Sequence, residues 1–144
     1  MINEFRGKYR FLSNFYPAKV EYDGVEYPSV EHAYQASKTS NPWIRNNIVS
    51  IQSPGEVKRY SRSYEARPNW EEVKPSIMLD LLMQKFDIDP LKQMLLDTGD
   101  ENLVDGNIWH DRYWGKCNCK RCCGTGENML GILLTRVRNE LKEV

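Results

Sequence analysis

The hydrophobic and polar positions near the amino terminus follow the two-residue period of a β-strand. Apolar and polar residues alternate through Val20-Glu21-Tyr22 and again through Val25-Glu26-Tyr27. Asp23-Gly24 lies between the two runs, and this dipeptide favours a two-residue hairpin turn. The pattern therefore predicts a short antiparallel β-hairpin.

After the hairpin the apolar positions change to helical spacing. Four helix-start signals place a capping residue or a proline where a helix can begin: Pro28-Ser29, Asn41-Pro42, Ser53-Pro54 and Asp89-Pro90. Apolar residues with helical spacing then occur in four segments. They are Ile44, Ile48 and Ile51; Trp70, Val73, Ile77, Leu81 and Leu82; Leu91, Met94 and Leu95; and a last helix from about Asn128 to Leu141. The sequence predicts a small, mainly α domain of orthogonal helices with the hairpin near its amino terminus.

A single domain over residues 1–144 is the expectation, because the chain shows no long linker, repeat or low-complexity run. Residues 1–6 lack the apolar run of a signal peptide, and no stretch approaches the roughly 20 apolar residues that span a bilayer. The four cysteines fall within Cys117–Cys123, too close together to staple distant segments. These features favour a reducing, cytoplasmic location and a monomer.

The charge balance limits the kind of partner. Lys plus Arg and Asp plus Glu number 20 each, so the formal net charge is zero. Proteins that bind nucleic acid mainly by neutralising phosphates are usually basic. We therefore expect any contact with a polynucleotide to be local, and a zinc-dependent nucleic-acid module built on the cysteines is disfavoured.

The stretch from Ser29 to Lys38 offers the first candidate chemistry. At about 100° per residue, Glu31, Gln35 and Lys38 lie on one side of a helix, and Tyr34 flanks them. A carboxylate, an amide and an amine on one face can hold and polarise a polar substrate. A solvated helix face with a weak charge pair explains the same pattern, and from this stretch alone it is the favoured interpretation.

The segment from Leu103 to Gly115 is the second candidate. Asp105 and Asp111 are six residues apart and are interleaved with large aromatic residues. Aromatic rings can stack on a base or a sugar face, while a carboxylate accepts hydrogen bonds from ribose hydroxyls. Core tryptophans and turn-forming aspartates are an equally good interpretation.

Two further segments carry weaker signals. The glycine-rich run from Gly124 to Gly131 leads into the last helix, where free backbone N–H groups can bind phosphate, although simple loop packing explains it as well. The Cys117–Cys123 cluster could supply thiolates to zinc, but four ligands within seven residues strain a tetrahedral site. The sequence therefore favours a chain without a metal. His32 and His110 match no known nucleophile signature.

Several motifs in order, from about Phe11 to Leu141, resemble the NADAR (YbiA-like) family. The six similar segments are the following: Leu12-Ser13-Asn14-Phe15, Pro28 to Lys38, Asn69-Trp70-Glu71-Glu72-Val73-Lys74 with the Met78 to Phe86 helix that follows it, Leu103-Val104-Asp105, Asp111-Arg112-Tyr113-Trp114-Gly115 and Gly126 to Gly131. Six motifs in order over one domain are a strong signal where one alone would be weak.

The resemblance implies a mainly helical fold that cleaves an N-glycosidic bond without a cofactor. Its implied substrates are phosphorylated ribosyl intermediates of riboflavin synthesis or ADP-ribose attached to guanine, the latter including ADP-ribosylated nucleic acid. It assigns Glu31, Trp70 and Asp111 to the active site and Lys38 to an imine with the ribose carbon. The implied substrate-binding residues are Ser13, Asn14, Phe15, Tyr34, Gln35, Asp105, Trp114, Gly115 and Asn128.

Two departures from the family pattern bear on substrate choice: Asp105 replaces a glutamate found in many members, and the cysteine cluster enlarges the loop after Gly115. Two mechanisms remain open, namely attack by Lys38 on the ring-opened sugar and hydrolysis assisted by Glu31 or Asp111. A non-catalytic ADP-ribose or nucleotide sensor would use the same aromatic residues. It would not need Glu31 and Lys38 together, so an enzyme is favoured.

Overall fold

The computed structural model describes residues 1–143 and is mainly helical. Its α-helices in the described residues are α1 (Val30–Ser37), α2 (Pro42–Ser50), α3 (Pro54–Tyr60), α4 (Trp70–Lys85), α5 (Leu91–Leu96) and α6 (Met129–Lys142). Its strands are β1 (Pro17–Tyr22), β2 (Val25–Ser29), β3 (Gly106–Asn107) and β4 (Lys116–Cys117), and short 3-10 helices cover Gly7–Leu12 and Ser61–Ser63. The mainly α fold with an amino-terminal hairpin is confirmed.

The backbone contacts divide the chain into two compact units. The central unit comprises Asn14–Lys85, and the terminal unit comprises Met1–Ser13 together with the chain from Phe86 onward. The interpretation of residues 1–144 as a single domain stays a prediction.

The hairpin of the central unit forms where the sequence predicts it. Strands β1 and β2 are antiparallel, and Val20 lies opposite Tyr27 with both side chains buried. Asp23 and Gly24 form the turn with φ of 50° and 80°, the positive values that a tight hairpin turn requires at both central positions.

Helix α1 is at the centre of this unit and packs against the hairpin, α2, α3 and α4. Side-chain oxygens cap three of the predicted helix starts: Ser29 accepts from the N–H of His32, Asn41 from that of Trp43, and Ser53 from that of Glu56. All eight residues of α1 are buried. Helix α3 begins at the predicted start Ser53-Pro54, although no helically spaced apolar set defined it. Helix α2 ends at Ser50, one residue before Ile51, the last apolar residue of its predicted set.

His32 is a structural residue of this unit. Its Nε2 lies 2.7 Å from the carbonyl oxygen of Ile51, which can only accept, so Nε2 carries the proton. Its Nδ1 then accepts from the Ser29 hydroxyl at 2.6 Å. Burial lowers the pKa of His32 below its usual value, which keeps the ring neutral and suited to joining α1 to the end of α2.

The terminal unit is built around α5 and α6, which pack against each other. Between these helices, β3 and β4 form a two-residue parallel pair, with Gly106 opposite Lys116 and Asn107 opposite Cys117. The sequence showed no clean period here and did not predict the pair. The apolar side chains buried in this unit include Phe5, Phe11, Leu12, Leu95, Leu103, Leu130, Leu134 and Val137. In the part of the chain that the structure describes, no helix has the length and apolar character to cross a membrane.

Lys85, the last residue of α4, gives a prediction about stability. Its side chain is 2% exposed, and burial lowers its pKa to about 7. Between pH 7 and pH 10 the unfolded chain therefore binds a proton that the folded chain does not. We expect the free energy of unfolding to rise across this window by up to about 1.4 kcal/mol per pH unit, a rise that Lys85→Met lacks. Urea unfolding at several pH values measures this difference.

The control for this experiment is Lys19→Met, because the Lys19 side chain is 83% exposed. That variant should keep the wild-type slope. Parallel pH profiles for the wild type and Lys85→Met would contradict the burial of a neutral amine.

Candidate active site

The residues singled out from the sequence fall into two groups. The central unit holds Asn14, Phe15, Glu31, Tyr34, Gln35, Lys38 and Trp70, and the terminal unit holds Ser13, Asp105, Asp111, Trp114, Gly115 and Asn128.

The polar face of α1 is buried. Glu31 is 7% exposed and Gln35 is 6% exposed, and the Gln35 Nε2 donates a 2.7 Å hydrogen bond to Glu31 Oε2. The interpretation of this face as solvated, favoured from the stretch alone, is wrong. A carboxylate is costly to bury unless it has partners, so the buried and hydrogen-bonded Glu31 is a candidate for a functional carboxylate.

Tyr34 of α1 and Trp70 of α4 form an aromatic pair. The rings of Tyr34 and Trp70 have centroids 5.1 Å apart and are tilted by 48°. Trp70 begins α4, which packs against α1, so helix packing sets the position of its ring. The two rings can offer apolar contact to a flat base or a sugar face.

Two buried amide oxygens of this unit accept no hydrogen bond from the described residues. They are Asn14 Oδ1 and Gln35 Oε1, on side chains that are 9% and 6% exposed. The backbone carbonyl oxygen of Asn14, unlike its side-chain oxygen, accepts from the N–H of Glu31 at 3.1 Å, which ties Asn14 to the start of α1. An unsatisfied buried acceptor costs about 1–3 kcal/mol, so two of them in one unit suit a ligand that donates hydroxyl hydrogen bonds.

Lys38 follows α1 directly and is half-buried. Burial lowers the pKa of its amine, the Glu31 carboxylate raises it in part, and the cation of Lys74 lowers it further. A lysine whose pKa is lowered in this way exposes more neutral amine near pH 7, the form that acts as a nucleophile.

Lys74 is a residue that the sequence reasoning missed. It lies on α4 one turn after Trp70, and its side chain is 11% exposed in an ion pair with Glu71 at 2.8 Å. The i, i+4 spacing from Trp70 places the two residues on the same helix face, and that spacing was the available signal. Lys74 adds a positive charge near Lys38 where a phosphate would be attracted.

Phe15 and Ser13 have simpler surroundings. Phe15 is 42% exposed and presents an open apolar ring. Ser13 belongs to the terminal unit and is half-buried, and its N–H donates to the Arg10 carbonyl at the end of the first 3-10 helix. Their roles in substrate binding stay predictions.

In the terminal unit, Asp111 forms a turn. Its Oδ1 accepts hydrogen bonds from the backbone N–H groups of Tyr113 at 3.2 Å and Trp114 at 3.0 Å. The rings of Tyr113 and Trp114 meet edge to face at 4.8 Å. Asp111 therefore forms a turn through one of its two carboxylate oxygens, as one interpretation of the sequence expected. A catalytic role for this residue stays a prediction.

Asn128 uses its side chain to join backbone segments. Its Oδ1 accepts from the N–H of Asp105 at 3.0 Å, and its Nδ2 donates to the carbonyl of Leu103 at 2.9 Å. Its φ of 55° is a left-handed value that asparagine tolerates. The Asn128 side chain therefore holds the backbone of the Leu103–Asp105 segment in place. Contact with substrate stays a prediction for both Asn128 and Asp105.

The start of α6 does not offer free donors for a phosphate. The N–H groups of residues 127–130 donate to the carbonyl oxygens of residues 112–115. The expectation of a phosphate cradle in the glycine-rich run is therefore wrong for these groups. Loop packing, the other interpretation of the run, accounts for them.

Gly115 is required by close backbone packing. A Cβ atom at this position would lie 2.0 Å from the carbonyl oxygen of Asp105. We expect Gly115→Ala to lower the free energy of unfolding by about 1–3 kcal/mol, as measured by urea unfolding. Gly55→Ala is the control, because a Cβ there meets its nearest atom at an ordinary 3.5 Å. Equal stability for both variants would contradict the steric role.

The cysteine cluster separates into three inward thiols and one outer thiol. The sulfurs of Cys117, Cys119 and Cys122 converge with Nδ1 of His110, and these four atoms lie within 4.8 Å of one another. Cys123 instead lies at the surface and donates to the carbonyl of Lys120. His110 was given no partner from the sequence, because it is seven residues away from the first cysteine.

Comparison with known proteins shows the family to which the chain belongs. The family model described as the NADAR domain matches residues 3–142. A riboflavin biosynthesis protein of Vibrio vulnificus is 34% identical over 136 residues, covering 92% of this chain but only 36% of that protein. N-glycosidase YbiA of Escherichia coli is 35% identical over 136 residues, covering 92% of this chain and 82% of the relative.

The fold is shared as well. The NMR structure of the E. coli protein YbiA superimposes with a TM-score of 0.80 at 32% identity, covering 99% of this chain and 88% of that one. With a family model that spans nearly all residues and relatives above 30% identity, the chain belongs to the NADAR domain family of YbiA-like N-glycosidases.

Proposed function

We propose that the chain is an N-glycosyl hydrolase that cleaves the bond between a ribosyl carbon and the nitrogen of a base or amine, using the α1 face of the central unit. The observation that carries the proposal is the buried Glu31, held by Gln35. The Tyr34–Trp70 pair of the same unit offers apolar contact to a sugar or a base.

The reaction breaks one C–N bond and forms one C–O bond. As the base leaves with the bonding electron pair and gains a proton, positive charge develops on the ribosyl carbon C1. The Glu31 carboxylate stabilises that charge, and burial strengthens the interaction because little water screens it. Water then adds to C1 and loses a proton, which yields the free sugar.

Lys38 supports a second form of the same reaction. Its neutral amine attacks C1 of the ring-opened sugar, the bond from C1 to the base nitrogen breaks, and the base departs with a proton. Water hydrolyses the resulting imine and regenerates the amine. The lowered pKa of Lys38 supplies the neutral amine that this route needs.

Phosphorylated ribosylamines of the riboflavin pathway are the favoured substrates. The name of the Vibrio vulnificus protein supports this choice, and the Lys74 cation near Lys38 suits a phosphate. ADP-ribosylated guanine is the second substrate class, and the tilted Tyr34–Trp70 pair is compatible with its base. Asp111, Trp114 and the other predicted residues of the terminal unit remain assigned by resemblance alone.

A substrate panel tests the proposal. The wild-type protein is incubated with a phosphoribosylated pyrimidine amine, with ADP-ribosylated guanosine and with ordinary nucleosides, and mass spectrometry follows the released base. We expect release from at least one of the first two compounds and none from the nucleosides, which lack a phosphate. Tight binding of either compound without release would indicate a sensor and overturn the proposal.

A further inference from the structure

We propose that the terminal unit contains a structural zinc site formed by the side chains of Cys117, Cys119, Cys122 and His110. The expectation of a chain without a metal rested on the strain of drawing all four ligands from the seven residues Cys117–Cys123. The structure replaces Cys123 by a histidine from a separate segment, which removes the geometric objection.

The distances match a tetrahedral centre. With zinc–sulfur bonds of about 2.3 Å and zinc–nitrogen bonds of about 2.0–2.1 Å, a tetrahedron places sulfur and nitrogen about 3.6 Å apart. Nδ1 of His110 lies 3.5 Å from Cys119 Sγ, 3.5 Å from Cys122 Sγ and 3.9 Å from Cys117 Sγ. The three nitrogen–sulfur distances are thus already close to the separation that one shared ion would impose.

The backbone around the three cysteines forms a tight knuckle. Cys117 ends β4, and its carbonyl accepts from the N–H of Gly124 at 2.7 Å. The N–H of Cys122 donates to the Sγ of Cys119 at 3.4 Å, and the N–H of Cys123 donates to the carbonyl of Cys119. Amide donors directed at a sulfur stabilise the thiolate form, which is the form that binds a metal.

A separate set of hydrogen bonds, made by Asn107, holds His110 next to the knuckle. The buried Asn107 side chain accepts from the N–H groups of Trp109 at 3.2 Å and Asp111 at 3.1 Å. His110 lies between these two residues with φ of 71°, a left-handed value that is uncommon for a residue other than glycine. The loop therefore holds a strained histidine with its Nδ1 facing three sulfurs.

The chemistry of the ligand set favours zinc. Three thiolates and an imidazole form a soft, tetrahedral set of the kind found in structural zinc sites, and four protein ligands leave no open position for a catalytic water. The ion would join the loop at residues 107–111 to the knuckle at 117–122. Asp111 is adjacent to His110, so the metal would also fix the turn that Asp111 forms.

The test measures metal content and uses the fourth cysteine as a matched control. The protein is purified under reducing conditions, saturated with zinc and freed of excess ion by gel filtration. We expect about one zinc per chain in the wild type. Cys123→Ser should retain it, because this thiol lies outside the set. Cys119→Ser and His110→Ala should bind at least tenfold less, and His110→Cys should restore binding.

A second measurement covers the case in which a variant fails to fold. Cobalt is titrated into metal-stripped wild-type protein, and we expect thiolate-to-cobalt absorption that reaches a plateau at about one equivalent. Chelation should make the 107–122 segment more sensitive to protease. A wild type without metal, no cobalt–thiolate absorption, disulfides in the reduced preparation, or equal losses in Cys123→Ser and Cys119→Ser would overturn the proposal.

Discussion

Glu31→Gln should fold normally and lose about 10²–10⁴-fold of its turnover, the usual contribution of a positioned carboxylate. The substitution changes little volume, and the new amide oxygen can still accept from Gln35 Nε2. It removes only the negative charge that stabilises the developing positive charge on C1. The rate of base release at saturating substrate measures the loss, and circular dichroism with a thermal midpoint verifies the fold.

Glu26→Gln is the matched control, since the Glu26 side chain in β2 of the same unit is 68% exposed. It should keep the wild-type rate. If folded Glu31→Gln turns over at a rate near that of the wild type, the carboxylate has no part in the mechanism.

Lys38→Arg should abolish covalent trapping and most activity. If the Lys38 amine forms an imine with the opened ribose, borohydride added during turnover reduces it to a stable adduct that intact mass detects. Arginine keeps the positive charge, but its pKa above ~12 leaves no neutral group to attack. Product binding should persist, because the substitution leaves Glu31, Trp70 and Lys74 unchanged.

The pH profile gives a second readout for the same residue. The lowered pKa of Lys38 means that the neutral fraction grows as pH rises, and it does so below the range of an ordinary lysine. Under the imine route the rate should increase with pH through this lowered pKa. Active wild-type enzyme without an adduct, together with an active Lys38→Arg enzyme, would leave Lys38 only a role in positioning the substrate.

The sequence predicted the elements that local rules determine. The alternation around Asp23-Gly24 defined the hairpin, and Ser29, Asn41 and Ser53 marked helix starts because capping depends on a few adjacent residues. Helical spacing also brought Glu31 and Gln35 to one face. Spacing could not show that the face is buried, because burial of α1 depends on packing against the hairpin and three other helices.

Contacts between distant residues were the ones that the sequence did not reveal. The β3–β4 pair is two residues long, too short for a period, and it forms through backbone hydrogen bonds across the loop of residues 108–115. The donors at the start of α6 are occupied by carbonyls of residues 112–115, which no local pattern indicates. The approach of His110 to the cysteines depends on hydrogen bonds from the loop to the Asn107 side chain and on the left-handed backbone of His110 itself.

Release of free base under single-turnover conditions tests the proposed hydrolysis most directly. Enzyme in excess over a phosphorylated ribosylamine is quenched at intervals, and liquid chromatography with mass spectrometry quantifies free base and sugar phosphate. We expect equal amounts of both products from the wild type and from Glu26→Gln, with a loss of at least about 10²-fold in Glu31→Gln. Binding of the substrate by all three proteins with no base released by any of them would contradict it.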